Sequence, residues 1–301
     1  MRLSIVTDEI SSDPETAIEL GIGWGVREFE LRGVGSDRVP LLSAFQKDRL
    51  RESLDRFNAR LIAISPGLFK CPFPRPTRQR LPLQSLDHDL HRRWQSARDV
   101  VSYHTQELLP LSVDFAKEFG AEVIVAFSFQ KEGAEEDAPR EEILDVFRQA
   151  AEVAGQNHLR LAIEVEPGFC ADTGSRTARI IHSVNHPALG INWDPANAYV
   201  AGDTAYPDGY RSVRPYVRHV HFKDVERFSD DAYHYVTEGK IDWRGQIEAL
   251  AEDRYDGYIS VETHMQPKVQ AARAMTERLQ KLIEGTRKTS RGTVSAQGGG
   301  G

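Results

Sequence analysis

Cysteine is nearly absent from this chain: Cys71 and Cys170 are the only two among 301 residues. Two distant thiols make neither a disulfide framework nor the paired spacing of a zinc ribbon, so a reducing, cytoplasmic setting is expected. No apolar run approaches the roughly 20 residues that a membrane-spanning helix needs. The opening MRLSIVTDEI passes from a short apolar segment straight into polar residues, without the apolar core of a signal peptide. Positive charge is also short, since 38 Lys and Arg against 45 Asp and Glu give a formal charge of −7. That balance argues against bulk attraction to nucleic acid or to an anionic membrane. The glycine-rich fingerprint of a dinucleotide-binding fold is missing as well.

What is present is a repeated alternation of strand and helix signals. Arg2 to Thr7 reads as a strand with Asp8 and Glu9 at its end, and Ser11, Ser12, Asp13 and Pro14 supply the chemistry of a helix start. Val26 to Arg32 and Arg60 to Ser65 read as the second and third strands, around a helix over roughly Leu42 to Asn58. Pro66 to about Leu83 holds five prolines and is expected to be a long loop after strand three, either a lid or a stiff connection. A helical stretch from His88 to about Phe119, interrupted near Pro110, leads to a fourth strand over Val123 to Phe129. A helix over Pro139 to Asn157 follows. Four more strands then alternate with helices over Thr173 to Asn185, Tyr210 to Tyr216, Trp243 to Asp253 and Val269 to Glu284. Eight uniformly apolar strands, each followed by helix, predict an α/β fold: a single (β/α)8 TIM barrel over residues 1–285. The polar segment 286–301, ending in GGGG, reads as a disordered tail.

The four later strands carry polar residues at their ends: LAIEVEPG, LGINWDPANA, VRHVHFKD and YISVETH. Side chains alternate between the interior and the helix layer of a barrel. Glu164 therefore goes with Glu166, His219 with His221 and Lys223, and Glu262 with His264. With Asp194, these strand ends offer three carboxylates and one imidazole. That donor set suits one divalent ion, Mn²⁺, Mg²⁺, Co²⁺ or Zn²⁺, with positions left for substrate oxygens. One such residue alone reads more simply as a cap or a surface group; four on successive strand ends do not. His264, Lys223 and Arg32 are candidates to hold substrate hydroxyls or a phosphate, set against plainer readings as ion-pair or hydrogen-bond partners. Trp193 either stacks on a sugar face or belongs to the core. TEGKIDW is expected as the loop after strand seven, with Gly239 in a tight turn, Asp242 capping the next helix and Glu238 near the substrate.

These motifs carry a resemblance. VTDEIS and FELRG, then AIEVEPG, INWDPANA, HVHFKD, TEGKIDW and YISVETH, resemble the xylose-isomerase-like TIM-barrel superfamily, and within it the sugar phosphate isomerase/epimerase group. The similarity covers Met1 to about Glu284. It implies that Glu164, Asp194, His221 and Glu262 hold one divalent metal ion. It also implies that Glu164 and Glu262 remove and return a proton through a metal-stabilised enediolate. The implied function is isomerisation or epimerisation of a small sugar, polyol or keto acid, with no nucleic acid or membrane partner and with a homo-oligomer compatible. Asn197 stands where epimerases of the group commonly carry a histidine. It joins Glu166 among the substrate-binding candidates and keeps open a lyase outcome, an inosose-type or 3-keto-glycoside dehydratase/eliminase. Two readings rank lower: an abasic-site endonuclease, whose relatives of this fold hold three zinc ions, and a sugar-binding barrel without turnover.

Overall fold

The computed structural model describes residues 1–73, 97–131, 140–228 and 232–296. The barrel strands are β1 (Arg2–Val6), β2 (Glu28–Leu31), β3 (Arg60–Leu68) and β4 (Val123–Ala126), then β5 (Arg160–Glu164), β6 (Leu189–Trp193), β7 (Val217–Phe222) and β8 (Tyr258–Val261). They close a parallel barrel in the order β1, β8, β7, β6, β5, β4, β3, β2, with Arg2 opposite Tyr258 sealing the ring. Each strand turns an apolar side chain outward to the helices. Ile5, Phe29, Ile64, Ile124, Ile163, Ile191, Val220 and Ile259 are all 0% exposed. Each such burial stabilises the fold by about 1.5–3 kcal/mol against the exposed chain. That is why the strands read as uniformly apolar.

The helices are α1 (Pro14–Gly23), α2 (Ala44–Phe57), α3 (Ala97–Tyr103), α4 (Leu109–Phe119), α5 (Glu141–Gln156), α6 (Gly174–Val184), α7 (Pro195–Val200), α8 (Tyr210–Val213), α9 (Trp243–Glu252) and α10 (Lys268–Ala296). Their starts follow side-chain chemistry. Asp13 caps α1 ahead of Pro14, and Ser43 and Gln46 form a reciprocal capping box on α2. Asp242 caps α9 as its sequence position suggested. Gly239, however, is required by close approach rather than by a turn, because a Cβ there would lie 2.2 Å from the Val225 carbonyl oxygen.

Several boundaries differ from the sequence expectation. β4 ends at Ala126 rather than at Phe129, which itself adopts a left-handed backbone (φ 65°) outside any strand. Pro110 does not interrupt its helix. It sits in the first turn of α4, and the irregularity is instead a π-helical turn over His104–Leu108. α10 runs beyond the expected end at Glu284, to Ala296. The short α7 and an antiparallel ribbon, Val225–Arg227 with Tyr233–Tyr235, were not expected. Of the proline-rich loop, residues 66–73 are described, and β3 extends into it as far as Leu68. Residues 74–83, like 297–301, lie outside the described residues.

Strand registers settle which side chains face inward. Val6 opposes Glu30, Glu30 opposes Ala63, Glu164 opposes Asn192, Asn192 opposes His219, and His221 opposes Ser260. At one end of the interior, Ile62, Ala63, Val123, Val125, Ala162 and Tyr258 form a small apolar plug separate from the main core. Toward the C-terminal ends of the strands the interior becomes polar, and a barrel of this kind places its chemistry there.

Candidate metal and substrate site

Four short pieces of backbone deliver the central side chains. Glu164 is the last residue of β5, His221 lies one residue before the end of β7, and Glu262 directly follows β8. Asp194 follows β6 and caps α7: its Oδ1 accepts the Asn197 amide N–H at 2.9 Å, and Pro195 fixes the first helical turn. Capping leaves Oδ2 to face the barrel mouth. One donor atom from each of Glu164, Asp194, His221 and Glu262 lies within 4.8 Å of every other, and all four residues are buried.

Cationic groups surround this cluster. Lys223 Nζ lies 2.8 Å from Asp194 Oδ2 and 2.9 Å from Glu262 Oε2. Arg32 donates through Nη1 to Glu262 Oε1 at 2.8 Å and through Nη2 to Glu9 Oε1 at 2.7 Å. His221 Nδ1 is 3.1 Å from Glu262 Oε2 and 3.3 Å from Glu164 Oε1. Burial alone would raise the Glu262 carboxyl, but Lys223, His221 and His264 together hold it well below the usual carboxylate range. Burial also works against a charged His221, yet Glu30, Glu262 and Glu164 drive its pKa well above that of an ordinary imidazole. At Asp194 the balance goes the other way. Burial, with Glu164 and Glu262 adding to it, raises its carboxyl despite Lys223.

The mouth of the barrel holds a cavity of about 250 Å³. Of the sequence candidates, Glu164, Glu262, Arg32, Lys223, Glu166, Asn197 and His264 line it. Asp194 and His221 lie beneath, 0% and 1% exposed. Glu238 is exposed and is not among the residues that line the cavity. Trp193 is also removed from any sugar face. Its position one step from Asn192 turns it to the helix layer, where Nε1 donates to Gln246 Oε1. The Asn197 amide is already engaged, donating to the Val165 carbonyl at 2.9 Å and to Glu166 Oε2 at 2.8 Å, so it also fixes the carboxylates after β5.

Further lining residues had no sequence assignment. Lys70 sits 3.0 Å from Glu166 Oε1 and 4.2 Å above the Phe127 ring. Tyr235, on the antiparallel ribbon, packs 5.1 Å from the His264 ring. Behind the lining, Glu9 is 2% exposed, and its Oε2 accepts both the His264 amide N–H at 2.8 Å and the Thr263 Oγ1 hydroxyl at 3.0 Å. His264 itself is held in the left-handed region at φ 53°. The signal for Glu9 was present, directly after β1. Tyr235 had none, because its ribbon lies in a stretch without strand periodicity.

The residues present fit a divalent ion. Asp194 Oδ2 is a buried oxygen without a hydrogen-bond donor in aligned geometry, although the Lys223 charge is near. Three carboxylates and one imidazole nitrogen converge within 4.8 Å of one another. Hard oxygen donors with one nitrogen suit Mn²⁺, Mg²⁺, Co²⁺ or Zn²⁺.

The profile of the xylose isomerase-like TIM-barrel family matches residues 20–283. A 3-dehydroshikimate dehydratase of Bacillus anthracis is 29% identical over 108 residues, which are 36% of this chain and 38% of that protein. The match thus spans less than half the length of this curated relative. Among solved structures, an L-ribulose 3-epimerase superposes with a TM-score of 0.68 at 15% identity, covering 96% of this chain and 97% of that one. A xylose isomerase-like barrel from Mycobacterium smegmatis in complex with magnesium gives 0.65 at 17% identity, covering 90% and 89%. The chain belongs to the xylose isomerase-like TIM-barrel family.

Proposed function

We propose that this xylose isomerase-like barrel is a divalent-metal-dependent isomerase or epimerase of a small sugar, polyol or keto acid. The observation that carries the reading is the convergence of Glu164 and Glu262, from β5 and β8, on His221 Nδ1 at 3.3 and 3.1 Å, with Asp194 between them in strand order. A divalent ion held by these four residues would polarise neighbouring carbonyl and hydroxyl oxygens of a substrate and acidify the C–H beside the carbonyl. Glu164 and Glu262 flank the position that carbon would take, so one removes the proton and the other returns it. Arg32 and Lys223 fix both oxygens of Glu262, and Lys223 is placed to stabilise negative charge developing on the substrate oxygen. Glu166, Asn197, Lys70 and His264 offer hydrogen bonds to the remaining hydroxyls, with Phe127 and Tyr235 as apolar walls.

A second reading is a lyase, in which a hydroxyl on the next carbon leaves after the same proton removal. It is favoured by Asn197, which cannot supply an imidazole base, and by the similarity to a 3-dehydroshikimate dehydratase. Incubating a sugar and keto-acid panel with the Mn²⁺-loaded protein in D₂O, followed by NMR and mass spectrometry, separates the two. Deuterium at the carbon beside the carbonyl without loss of mass 18 supports isomerisation or epimerisation. Loss of water from the product selects the lyase, and no exchange with any panel member counts against both.

A further inference from the structure

Beneath the ligand group the barrel interior holds polar side chains that the proton transfer does not use. Glu30 on β2 is 0% exposed, and its Oε2 lies 2.8 Å from His219 Nε2 and 3.1 Å from His221 Nε2. Its Oε1 accepts a hydrogen bond from Ser65 Oγ at 2.5 Å. The same His221 ring turns its other nitrogen, Nδ1, toward Glu164 and Glu262. The imidazole is therefore strung between two sets of carboxylates. A neutral imidazole carries one proton, and only the nitrogen without it can donate a lone pair to an ion.

We propose that Glu30 is the positioning residue of the site: it holds the Nε2–H of His221, so that Nδ1, which faces Glu164, Asp194 and Glu262, is the nitrogen that gives up its proton when an ion binds. The inference rests on the metal-site reading above and adds the residue that makes His221 a ligand of fixed orientation. A carboxylate buried this fully is costly unless its oxygens are paired. The pairs made here are two imidazole nitrogens and one hydroxyl, all belonging to the barrel interior. His219, whose ring stands 5.5 Å from that of His221 at 81°, meets the same Oε2 of the carboxylate. Asn192 fits the same tautomer with its side-chain amide turned over. Its amide is 3.2 Å from His221 Nε2 and its Oδ1 has no other partner, so turning the amide over gives Nε2–H a second acceptor. A carboxylate that orients a ligating imidazole in this way also raises its basicity, and its loss weakens metal binding by about 10- to 100-fold.

One competing arrangement is visible. Glu30, His219 and His221 are themselves close enough to share an ion. That lower site would use Nε2 of His221, whereas the proposed role of Glu30 requires Nδ1.

The test has two arms. Metal-stripped wild-type and Glu30→Gln proteins are titrated with Mn²⁺ by calorimetry, with circular dichroism as a check on folding. Wild-type protein with ¹⁵N-labelled histidine is loaded with Zn²⁺ and read by long-range ¹H–¹⁵N NMR. The expected results are a Kd about 10- to 100-fold weaker in Glu30→Gln, and an imidazole, moved by loading, that keeps its proton on Nε2 and binds through Nδ1. Equal affinity in the two proteins, or binding through Nε2, overturns the role of Glu30 while leaving a metal site in place. A wild type that takes up neither ion sinks the metal reading, and this inference with it. The NMR arm needs only the wild type, so it decides the matter if Glu30→Gln does not fold.

Discussion

At the scale of residues, Glu262 is the most heavily engaged side chain of the site, with Arg32 on one oxygen and Lys223 and His221 on the other. Among the described residues Glu164 meets His221 and, at 3.5 Å, Asn197. Replacing either glutamate with glutamine keeps the shape and removes the proposed proton acceptor. Solvent-deuterium exchange into a turned-over substrate is expected to slow by about 10²- to 10⁴-fold in each variant. Exchange within threefold of wild type in either variant would take that residue out of the acid–base role. Away from the site, His104 gives a second prediction. Its buried ring accepts the Phe69 amide N–H on Nδ1 at 2.6 Å, and burial lowers its pKa from 6.5 to about 4. The unfolded chain takes up this proton near pH 6.5 and the folded protein only near 4. Stability is therefore undiminished above the first value and declines as pH falls toward the second, by about 3 kcal/mol in total. Urea titrations from pH 7 to 4 are expected to show a smaller decline in His104→Asn, and an equal decline would show that His104 is not its source.

At the scale of elements, the left-handed turns at Phe69 and Phe129 bring two rings to 5.0 Å from each other, and Phe147 of α5 closes the group at 5.8 and 5.7 Å. Phe147→Ala empties the centre of this packing and is expected to cost about 3–5 kcal/mol in urea unfolding. A loss below 1 kcal/mol would mean the cluster does not clamp α5 to the barrel. These turns also show what a sequence reading loses. Strand identity was legible because outward residues such as Ile124, Ile163 and Val220 are apolar on every strand. The end of β4 was not, since nothing in VIVAFSFQ announces that Phe129 takes a positive φ. Parity gave the pairing of Glu164 with Glu166 and of His221 with Lys223, but not which member of each would be deepest. Glu30 escaped for the same reason: the alternation in FELRG does not say which parity faces inward. Only the register across the barrel, Val6 to Glu30 to Ala63, turns it inward.

For the whole molecule, the acidic net charge, the buried anionic interior and the closed barrel are one design. Among the described residues no helix is long and apolar enough to cross a membrane, and the polar interior is concentrated at one end of the barrel. Four buried carboxylates, those of Glu30, Glu164, Asp194 and Glu262, share that space with His221, Lys223 and Arg32. A divalent ion bound only by the folded chain stabilises it by mass action. At a hundredfold excess over Kd the gain is about 2.7 kcal/mol, so Mn²⁺ is expected to raise the melting temperature and a chelator to reverse the rise. A melting temperature indifferent to both would place no ion in the barrel. The most direct test is a count of the ion itself: metal-stripped protein titrated with Mn²⁺ or Zn²⁺ by calorimetry, alongside Asp194→Asn. The account predicts one equivalent per chain in the wild type and binding at least tenfold weaker in the variant. No uptake, three equivalents of zinc, or a variant that binds as tightly as the wild type would contradict it.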